Sequence, residues 1–402
     1  MEYESVNETN IAAYLLSIPG LFSDGASLII SEIGDGNINF VYQAKDTNTG
    51  KSVIVKQAMP YLRSSGKNRL LTTDRIRIEA EAMAIQGSFC PQFVPKIFHQ
   101  DHERALFVME DLSNHVIMRK GLIDGKQYPN FAEHIGVFMA QTLYKTSDFF
   151  LDGKEKKAMQ ARFINPEMCE ITEKLIFTVP YYDDQTTHYM PESQAAGEAL
   201  RRNDALKFEV ALLKESFLTN AQALIHGDLH TGSVFVTDQT TKAIDQEFAF
   251  YGPMGFDLGL MIGNLVLNYA AHEYHSQSAD QRMSHRQYLL ETIHKTWDVF
   301  SNEFSRLWES FNQETTAGVK GYKDHFIHRL LSDGAGFAGC ETIRRIGRAQ
   351  VEDFRFIPDE SVRADAERMA LRMGEAMIMK RRDMKNGIDL VNIIEQAAHN
   401  LK

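Results

Sequence analysis

Two short turns carry the residues of this chain that could do chemistry. The first turn is His226–Ser233 and the second is Asp245–Glu247, and each follows an apolar run typical of a strand. Phosphoryl transfer from a nucleotide needs a proton acceptor beside a metal-holding carboxylate, because the protein mainly supplies positioning, magnesium and a base. We therefore interpret Asp228 as the base, and Asp245 with Glu247 as the magnesium ligands.

Two other interpretations of these turns stay open at the level of sequence. Single aspartates often cap turns and helices without any catalytic role. His226, Asp228 and His230 could also ligate zinc in a metallohydrolase, since neutral imidazoles bind zinc well. Such a site would need further His or Asp residues nearby. The only other close histidine pair, His99 and His102, lies among surface-like charges in another part of the chain.

A glycine-containing turn precedes both of these turns in the chain. Gly34 and Gly36 lie between two segments of β pattern, and glycine allows positive φ and a close backbone approach to a phosphate. The turn matches neither the dinucleotide-binding fingerprint nor the Walker A spacing. Taken alone, it fits a plain hairpin connector equally well.

A lysine and a helix glutamate follow the glycine turn. Lys56 ends the β-branched run Val53–Val55 and could pair with nucleotide phosphates, although a lysine on an edge strand is usually solvated. Glu79 and Glu81 are the candidate partners for Lys56. We prefer Glu79 because it lies four residues before Met83, on the helix stripe that faces the sheet.

The patterning around these residues divides the chain into two units, 1–112 and 113–402. The first is predicted to be β-rich, with one main helix at Asp74–Gln86. The second is predicted to be mainly helical, with the chemistry in the crevice between the units. In the first unit we expect β-structure over 27–55 and at Val94–Phe98 and Ala105–Met109. In the second we expect helices at Ala132–Phe149, Ala195–Thr219, Ser284–Gln313, Lys320–Leu331 and Ser361–Met379.

Composition limits the classes of partner. The 402 residues are 44% hydrophobic and 24% charged, which is typical of a soluble globular enzyme. The net charge of −11 disfavours binding to nucleic acid or an anionic membrane. The three cysteines follow no metal-ligand spacing, and no secretory signal or membrane-spanning run is evident. These features predict a cytoplasmic protein with no nucleic-acid or membrane partner.

The order of glycine turn, strand lysine, helix glutamate, His-x-Asp loop and Asp-x-Glu turn resembles the small-molecule branch of the protein-kinase-like fold. That branch includes aminoglycoside phosphotransferases and choline kinases. Within it, His226–Ser233 followed by Asp245–Glu247 is similar to the signature of the 5-methylthioribose kinases. Most relatives in the broad fold have asparagine at the position of Ser233, a departure that the methylthioribose kinases share. The departure transfers the second metal-ligand role to Glu247.

The resemblance implies an α+β, bilobal fold, with a small antiparallel-sheet N-lobe carrying one main helix and a large, mainly helical C-lobe. It also implies ATP and Mg²⁺ as cofactors and a homodimer. Glu32–Val41 resembles the family's phosphate-covering loop, in which Asn39 would contact the nucleotide. Met109–Leu112 resembles the hinge between the lobes, so the backbone of Glu110, Asp111 and Leu112 would pair with adenine. Asp245, Gln246 and Glu247 would complete the ATP site.

Gly339–Arg345 resembles the family's twin-arginine segment, in which Arg344 and Arg345 approach the sugar and the transferred phosphate. Adjacent arginines point to different faces of a helix, so the sequence leaves open that one is a surface salt-bridge partner. The small residues of Asp333–Gly339 would suit close packing beside a pocket.

These residues and the resemblance predict ATP-dependent phosphorylation of the 1-hydroxyl of 5-methylthioribose, giving the 1-phosphate in methionine salvage. One alternative is a kinase for another small hydroxyl compound, such as an aminoglycoside, choline or homoserine. Another is a catalytically silent nucleotide-binding module, which the presence of Lys56, Asp228 and Asp245 argues against.

Overall fold

A five-stranded sheet forms the N-terminal lobe. The computed structural model describes residues 10–33, 38–61, 70–182, 189–347 and 351–399. Neighbouring strands are antiparallel, and their order across the sheet is β1-β2-β3-β5-β4, so β3 is central. The strands are β1 (Leu28–Glu32), β2 (Phe40–Asp46), β3 (Ser52–Gln57), β4 (Ile97–Asp101) and β5 (Leu106–Glu110).

Strand β3 is covered on both faces, which explains its β-branched run. Val53 and Val55 pack in a cluster with the N-terminal helix α1 (Ile11–Ser17). Ile54 packs on the other face with α2 (Asp74–Phe89). Side chains alternate along a strand, so Lys56 lies on the same face as Ile54, toward α2. The alternative of a solvated edge lysine is wrong, because β3 is central and Lys56 is only 5% exposed.

One predicted strand is displaced along the chain. We expected a strand at Val94–Phe98, and the structure has β4 at Ile97–Asp101. Pro95 has no N–H to donate to a sheet ladder, so regular pairing begins only after it. The strand expected at Ala105–Met109 is β5, shifted by one residue.

The second lobe is mainly helical and contains two small sheets. In one, β6 (Val116–Ile117) pairs with β8 (Val234–Val236), which also pairs with β9 (Thr241–Ala243). In the other, β7 (Ala223–Ile225) pairs with β10 (Phe250–Gly252). The helices are α3 (Met118–Ile123), α4 (Phe131–Lys145), α5 (Gly153–Arg162), α6 (Pro166–Glu173), α7 (Gln194–Arg202), α8 (Asp204–Thr219), α9 (Gly255–His275), α10 (Ala279–Phe311), α11 (Tyr322–Gly347), α12 (Glu352–Arg355), α13 (Glu360–Met379) and α14 (Gly387–His399).

Predicted helix ends shift by up to five residues in α4 and α10, and two other predicted helices differ more. The segment Ala195–Thr219 is divided into α7 and α8 at Asn203, whose side chain accepts from the Leu206 N–H and caps α8. The helix expected at Lys320–Leu331 belongs to α11 and continues through Asp333–Gly339 to the twin arginines. Helix propensity alone would disfavour glycines in that stretch, but tertiary packing outweighs it.

Helices α9 and α11 pack closely because glycines form their contact. A Cβ on Gly259 would lie 2.5 Å from Cβ of Phe337, and one on Gly263 would lie 3.0 Å from Cβ of Glu341. This packing brings the C-terminal end of α11, with Arg344 and Arg345, to the crevice between the lobes. In the part of the chain that the structure describes, every helix is too short or too polar to cross a membrane.

Candidate active site

The turn between β7 and β8 is held in place by hydrogen bonds on both sides. The backbone N–H groups of His226 and Gly227 donate to the carboxylate of Asp257 at 2.7 and 3.0 Å. Gly227 has φ of 83°, and a Cβ there would lie 2.2 Å from the carbonyl oxygen of Phe248, so this position requires glycine. The turn therefore presents Asp228 from a fixed backbone.

His230 donates toward Asp228. Its Nδ1 accepts the backbone N–H groups of Gly232 and Ser233, both at 3.0 Å, so the ring proton lies on Nε2. Nε2 is 3.4 Å from Oδ2 of Asp228, and Oδ1 of Asp228 is 3.7 Å from Nη2 of Arg344. The two carboxylate oxygens thus have different neighbours.

Asp228 is ionised in this setting. Burial opposes its ionisation, but His230 first, and then Arg344 and Arg345, hold the pKa of the carboxyl well below its usual range. A carboxylate that is held in its ionised form can act as a proton acceptor.

The Ser233 hydroxyl makes hydrogen bonds to the backbone of the same turn. It lies 2.9 Å from the carbonyl oxygen of Asp228, to which it can donate, and accepts from the His230 N–H at 2.9 Å. The buried Ser233 hydroxyl thus holds the backbone that carries Asp228.

The zinc interpretation of the two histidines does not fit their contacts. Nε2 of His226 donates to the carbonyl oxygen of Ile244 at 2.8 Å, and its Nδ1 accepts from the Asp228 N–H at 3.3 Å. His230 is engaged as described above. Within the described ranges, no group of three or more His, Cys, Asp or Glu side chains is arranged to hold a metal ion.

A charged cluster, here called the lysine side, consists of Lys56, Glu79, Asp245 and Glu247. Nζ of Lys56 is 2.7 Å from Glu79 and 2.5 Å from Asp245. The structure thus brings Lys56 to Glu79, whereas Glu81 pairs with Arg77 and Arg162. From the sequence we preferred Glu79 because of its position on the helix stripe. The structure shows why the two side chains meet: Lys56 lies on the central strand β3, on the face that packs against α2.

Asp245 has a backbone conformation that is unusual for a residue with a side chain. Its φ is 68° and its ψ is 45°, in the left-handed region. Such conformations cost free energy and concentrate at functional sites. The conformation turns the chain from β9 into the short 3₁₀ helix Gln246–Phe248, so that Asp245 and Glu247 both line the cavity.

Glu247 is held by two residues of the N-terminal lobe. Asn39 donates to Glu247 at 2.7 Å, and Nε of Arg75 donates to Asn39 at 3.1 Å and lies 3.8 Å from Glu247. Arg75 had not been predicted from the sequence, because a fully buried arginine on a helix has no local signature. Burial raises the pKa of Glu247, and repulsion from Asp245 adds to this effect.

The side chain of Gln246, one of the residues expected in the ATP site, does not line the cavity. The residue is fully buried and its Nε2 donates to Gln86 of α2 at 3.1 Å. In a 3₁₀ helix of three residues, consecutive side chains point in different directions. Gln246 therefore faces the core while its neighbours face the cavity. The predicted residues Gly34 and Gly36 lie outside the described residues.

The other charged cluster of the site, here called the arginine side, consists of Asp228, Glu341, Arg344 and Arg345. Nε of Arg345 is 2.7 Å from the fully buried carboxylate of Glu341, and Arg344 also donates to it. Burial opposes the ionisation of Glu341, but Arg344 and Arg345 lower its pKa to about 2. Both arginines line the cavity, so the alternative of a surface salt-bridge partner is wrong. Sequence reasoning missed Glu341, although its spacing to the arginines is the usual one for helix ion pairs.

One cavity of about 820 Å³ is lined by members of both clusters: Lys56, Asp245 and Glu247 of the lysine side and Asp228, Arg344 and Arg345 of the arginine side. The predicted hinge residues Glu110, Asp111 and Leu112 also line it. Asp111 accepts from Gln43 at 2.8 Å, which ties this segment to the sheet. Sequence patterns did not indicate the apolar residues of the lining, which include Ile171, Leu175, Ile176 and Phe248.

The amino-acid sequence matches the model of the phosphotransferase enzyme family over residues 29–292. It is 44% identical to a methylthioribose kinase of Geobacillus sp. (strain WCH70), covering 98% of this chain and 96% of the relative. It is 46% identical to a methylthioribose kinase of Geobacillus kaustophilus, covering 94% of each chain. Among solved structures, it is similar to an ethanolamine kinase of Plasmodium vivax, with 12% identity, a TM-score of 0.44, and coverage of 92% of this chain and 81% of that one.

Proposed function

The chain belongs to the phosphotransferase enzyme family and, within it, to the methylthioribose kinases, and we propose that it transfers the γ-phosphoryl group of ATP to the 1-hydroxyl of 5-methylthioribose. The bilobal α+β fold expected from the sequence is that of a kinase-like small-molecule phosphotransferase. The observation that carries the proposal is the single cavity in which Lys56, Asp228, Asp245 and Arg344 meet. The 1-phosphate product places the enzyme in methionine salvage.

In this proposal, Asp228 accepts the proton of the 1-hydroxyl as the phosphoryl group arrives. Oδ2 of Asp228 faces the donor Nε2 of His230, and Oδ1 faces the arginine side of the cavity. Arg344 lies beside Oδ1, where it would stabilise the charge on the transferred group. Arg345 would contact the same side of the substrate as Arg344.

The nucleotide would lie between the hinge and the lysine side. The backbone of Glu110, Asp111 and Leu112 would pair with adenine, and Lys56 would pair with the phosphates while Glu79 holds it. Both Asn39 and Lys56 line the same cavity.

Asp245 and Glu247 fit the requirements of magnesium. They are neighbouring carboxylates, and the lysine side contains more carboxylates than ammonium groups. Magnesium is usually held by one or two carboxylates together with phosphate oxygens. When bound, it would neutralise charge on the phosphates.

The apolar part of the cavity supports a substrate with an apolar end. Ile171, Leu175, Ile176 and Phe248 line the cavity, and the π-helical turn Lys174–Thr178 packs against α11, which carries the arginines. A methylthio group is small, apolar and uncharged, and burying it in such surroundings is favourable. The choline-type and aminoglycoside-type acceptors are cations, which two arginines would repel.

The test is turnover of the purified protein with ATP and Mg²⁺ on methylthioribose, ribose, choline, homoserine and an aminoglycoside. Ribose is the matched control, because it differs at C5 by a hydroxyl in place of the methylthio group. We expect kcat/KM for methylthioribose to exceed that for ribose by about 10²-fold, the usual discrimination by an apolar pocket. Phosphorus NMR would identify the product as the 1-phosphate. Robust transfer to another acceptor with none to methylthioribose would contradict the proposal.

We also propose a cytoplasmic homodimer. The location is supported by the use of ATP and by three free cysteines, Cys90, Cys169 and Cys340, and the dimer by the family resemblance. Light scattering of the purified protein would test the dimer.

A further inference from the structure

A buried arginine connects the catalytic turn to the rest of the helical lobe. Arg119 of α3 is 8% exposed, and its backbone N–H donates to the carbonyl oxygen of Thr231 at 2.9 Å. Its Nε also donates to the hydroxyl of Thr231 at 3.3 Å. Thr231 lies three residues after Asp228. A Cβ on Gly232 would come within 2.9 Å of the guanidinium, so glycine is needed for this approach.

The guanidinium of Arg119 also reaches helix α9. Its Nη2 donates to Oδ1 of Asn264 at 3.0 Å. Nδ2 of Asn264 donates to Glu341 at 3.0 Å and to the carbonyl oxygen of Leu260 at 2.9 Å. Asn264 is buried, and the donor on one side and the acceptors on the other determine the orientation of its amide.

Glu341 completes the connection at the twin arginines. Its Oε1 accepts from Asn264, from Nε of Arg345 at 2.7 Å and from Nη2 of Arg344 at 3.3 Å. Thr231, Arg119, Asn264 and Glu341 thus form a continuous chain of hydrogen bonds, here called the buried bridge. It joins the turn that carries Asp228 to the helix that carries the arginines.

We propose that Arg119, Asn264 and Glu341 are positioning residues that hold Arg344 and Arg345 in register with Asp228. The inference rests on the proposed phosphoryl transfer, in which Asp228 acts on the attacking hydroxyl and the arginines act on the phosphoryl group that this hydroxyl attacks. A buried ion pair is often no more stabilising than apolar residues of the same size. A fully satisfied buried network does specify one geometry, and this network joins the turn that carries Asp228 to the two arginines.

The primary variant is Glu341→Gln, which keeps the size of the side chain but removes its charge and one acceptor oxygen. The arginines would then lose their alignment, and misplacement by about 1 Å can lower the rate by about 10²-fold. We expect kcat to fall by about 10–10²-fold with the KM for ATP nearly unchanged, because the nucleotide binds on the lysine side.

Glu367→Gln is the matched control. Glu367 is also a buried glutamate paired with an arginine on its own helix, with Nε of Arg363 at 3.1 Å, and it is not part of the cavity lining. Both variants should lower the melting temperature, but only Glu341→Gln should lower kcat. Equal kcat losses in the two variants, or no loss in Glu341→Gln, would overturn the proposal.

A double-mutant cycle tests the connection itself. Thr231→Val removes the hydroxyl that accepts from Arg119 and keeps the shape of the side chain. If the buried bridge transmits position, the kcat losses of Thr231→Val and Glu341→Gln should not multiply in the double variant. Independent, multiplying losses would contradict transmission through Arg119 and Asn264.

Failure of the proposed function would be recognised separately. If the wild-type protein does not phosphorylate methylthioribose, the proposed acceptor is wrong. The kcat values of the variants are then measured with an acceptor that the wild type does phosphorylate. A crystal structure of Glu341→Gln gives a readout that needs no acceptor. Displacement of the Arg344 guanidinium from Asp228 would support the positioning role, and an unchanged arginine pair would contradict it.

Discussion

The lysine side and the arginine side of the cavity contain acidic and basic side chains in different proportions. On the lysine side, Glu79, Asp245 and Glu247 surround one lysine. On the arginine side, Arg344 and Arg345 face Asp228, with Glu341 behind them. The first cluster has three carboxyl groups and one ammonium group, whereas the second has two carboxyl groups and two guanidinium groups. This difference suits a divalent cation at one end and an incoming phosphoryl anion at the other.

The carboxyl groups respond to these surroundings in opposite ways. Burial raises the pKa of Glu79 to about 8, and repulsion from Asp245 and Glu247 adds to the effect although Lys56 opposes it. Glu341 is equally buried, but its two arginines lower its pKa to about 2. Burial alone therefore does not decide ionisation, since the balance of neighbouring charges does.

The largest expected effect is that of Asp228→Asn on the arginine side. Asparagine keeps the shape but cannot accept the hydroxyl proton, so kcat should fall by about 10²–10⁴-fold. Binding of ATP, measured by calorimetry, should be nearly unchanged, because the nucleotide contacts lie at the other end of the cavity. Asp365→Asn on the exposed surface of α13 is the control. Near wild-type turnover in Asp228→Asn would mean that another group is the base.

The next effect is expected from Asp245→Asn on the lysine side. Loss of a carboxylate ligand weakens magnesium binding, and the metal contributes several kcal/mol to such reactions, so kcat/KM should fall by about 10²–10³-fold. Activity should recover in part when Mg²⁺ is raised, because the asparagine carbonyl oxygen remains a weak ligand. Asp228→Asn should show no such recovery. A Mg²⁺ dependence in Asp245→Asn equal to that of the wild type would contradict the assignment of Asp245.

The smallest effect is on the free energy of unfolding. Its change with pH should have opposite directions on the two sides. The folded-state pKa of Glu341 is depressed, so its contribution is present above pH 4.5 and is lost as pH falls toward 2. At about 1.4 kcal/mol per pKa unit, the contribution is about 3 kcal/mol. The pKa of Glu79 is raised, so its contribution is present below pH 4.5 and is lost as pH rises toward 8.

Urea unfolding at a series of pH values would measure this difference. Glu341→Gln should flatten the acid limb of the stability profile, and Glu79→Gln the limb between pH 4.5 and 8. The exposed Glu309 provides a control, since Glu309→Gln should leave both limbs unchanged. Flattening of the same limb by both buried variants would refute the contrast between the two sides.

The elements of the fold could largely be predicted, because their signals are local. The β-branched run of β3, the stripe on α2 and the turns around Asp228 and Asp245 each lie within a few residues of sequence. The displaced strand β4 and the break at Asn203 are errors at element boundaries, where one proline and one capping side chain decide the outcome. The long α11 was underestimated because its glycines disfavour a helix until α9 packs against them.

The sequence by itself determined the class of enzyme, because the order of lysine, glutamate and the two acidic turns resembles that of a small-molecule kinase. Only the tertiary structure decided their surroundings, such as Asn39 on Glu247, 208 residues apart, or Arg119 on Asn264, 145 apart. A motif records residue types along the chain. Ionisation and alignment depend on burial and on neighbours that folding brings from distant segments, which is why the burial of the Gln246 side chain and the contacts of Glu341 were not foreseen.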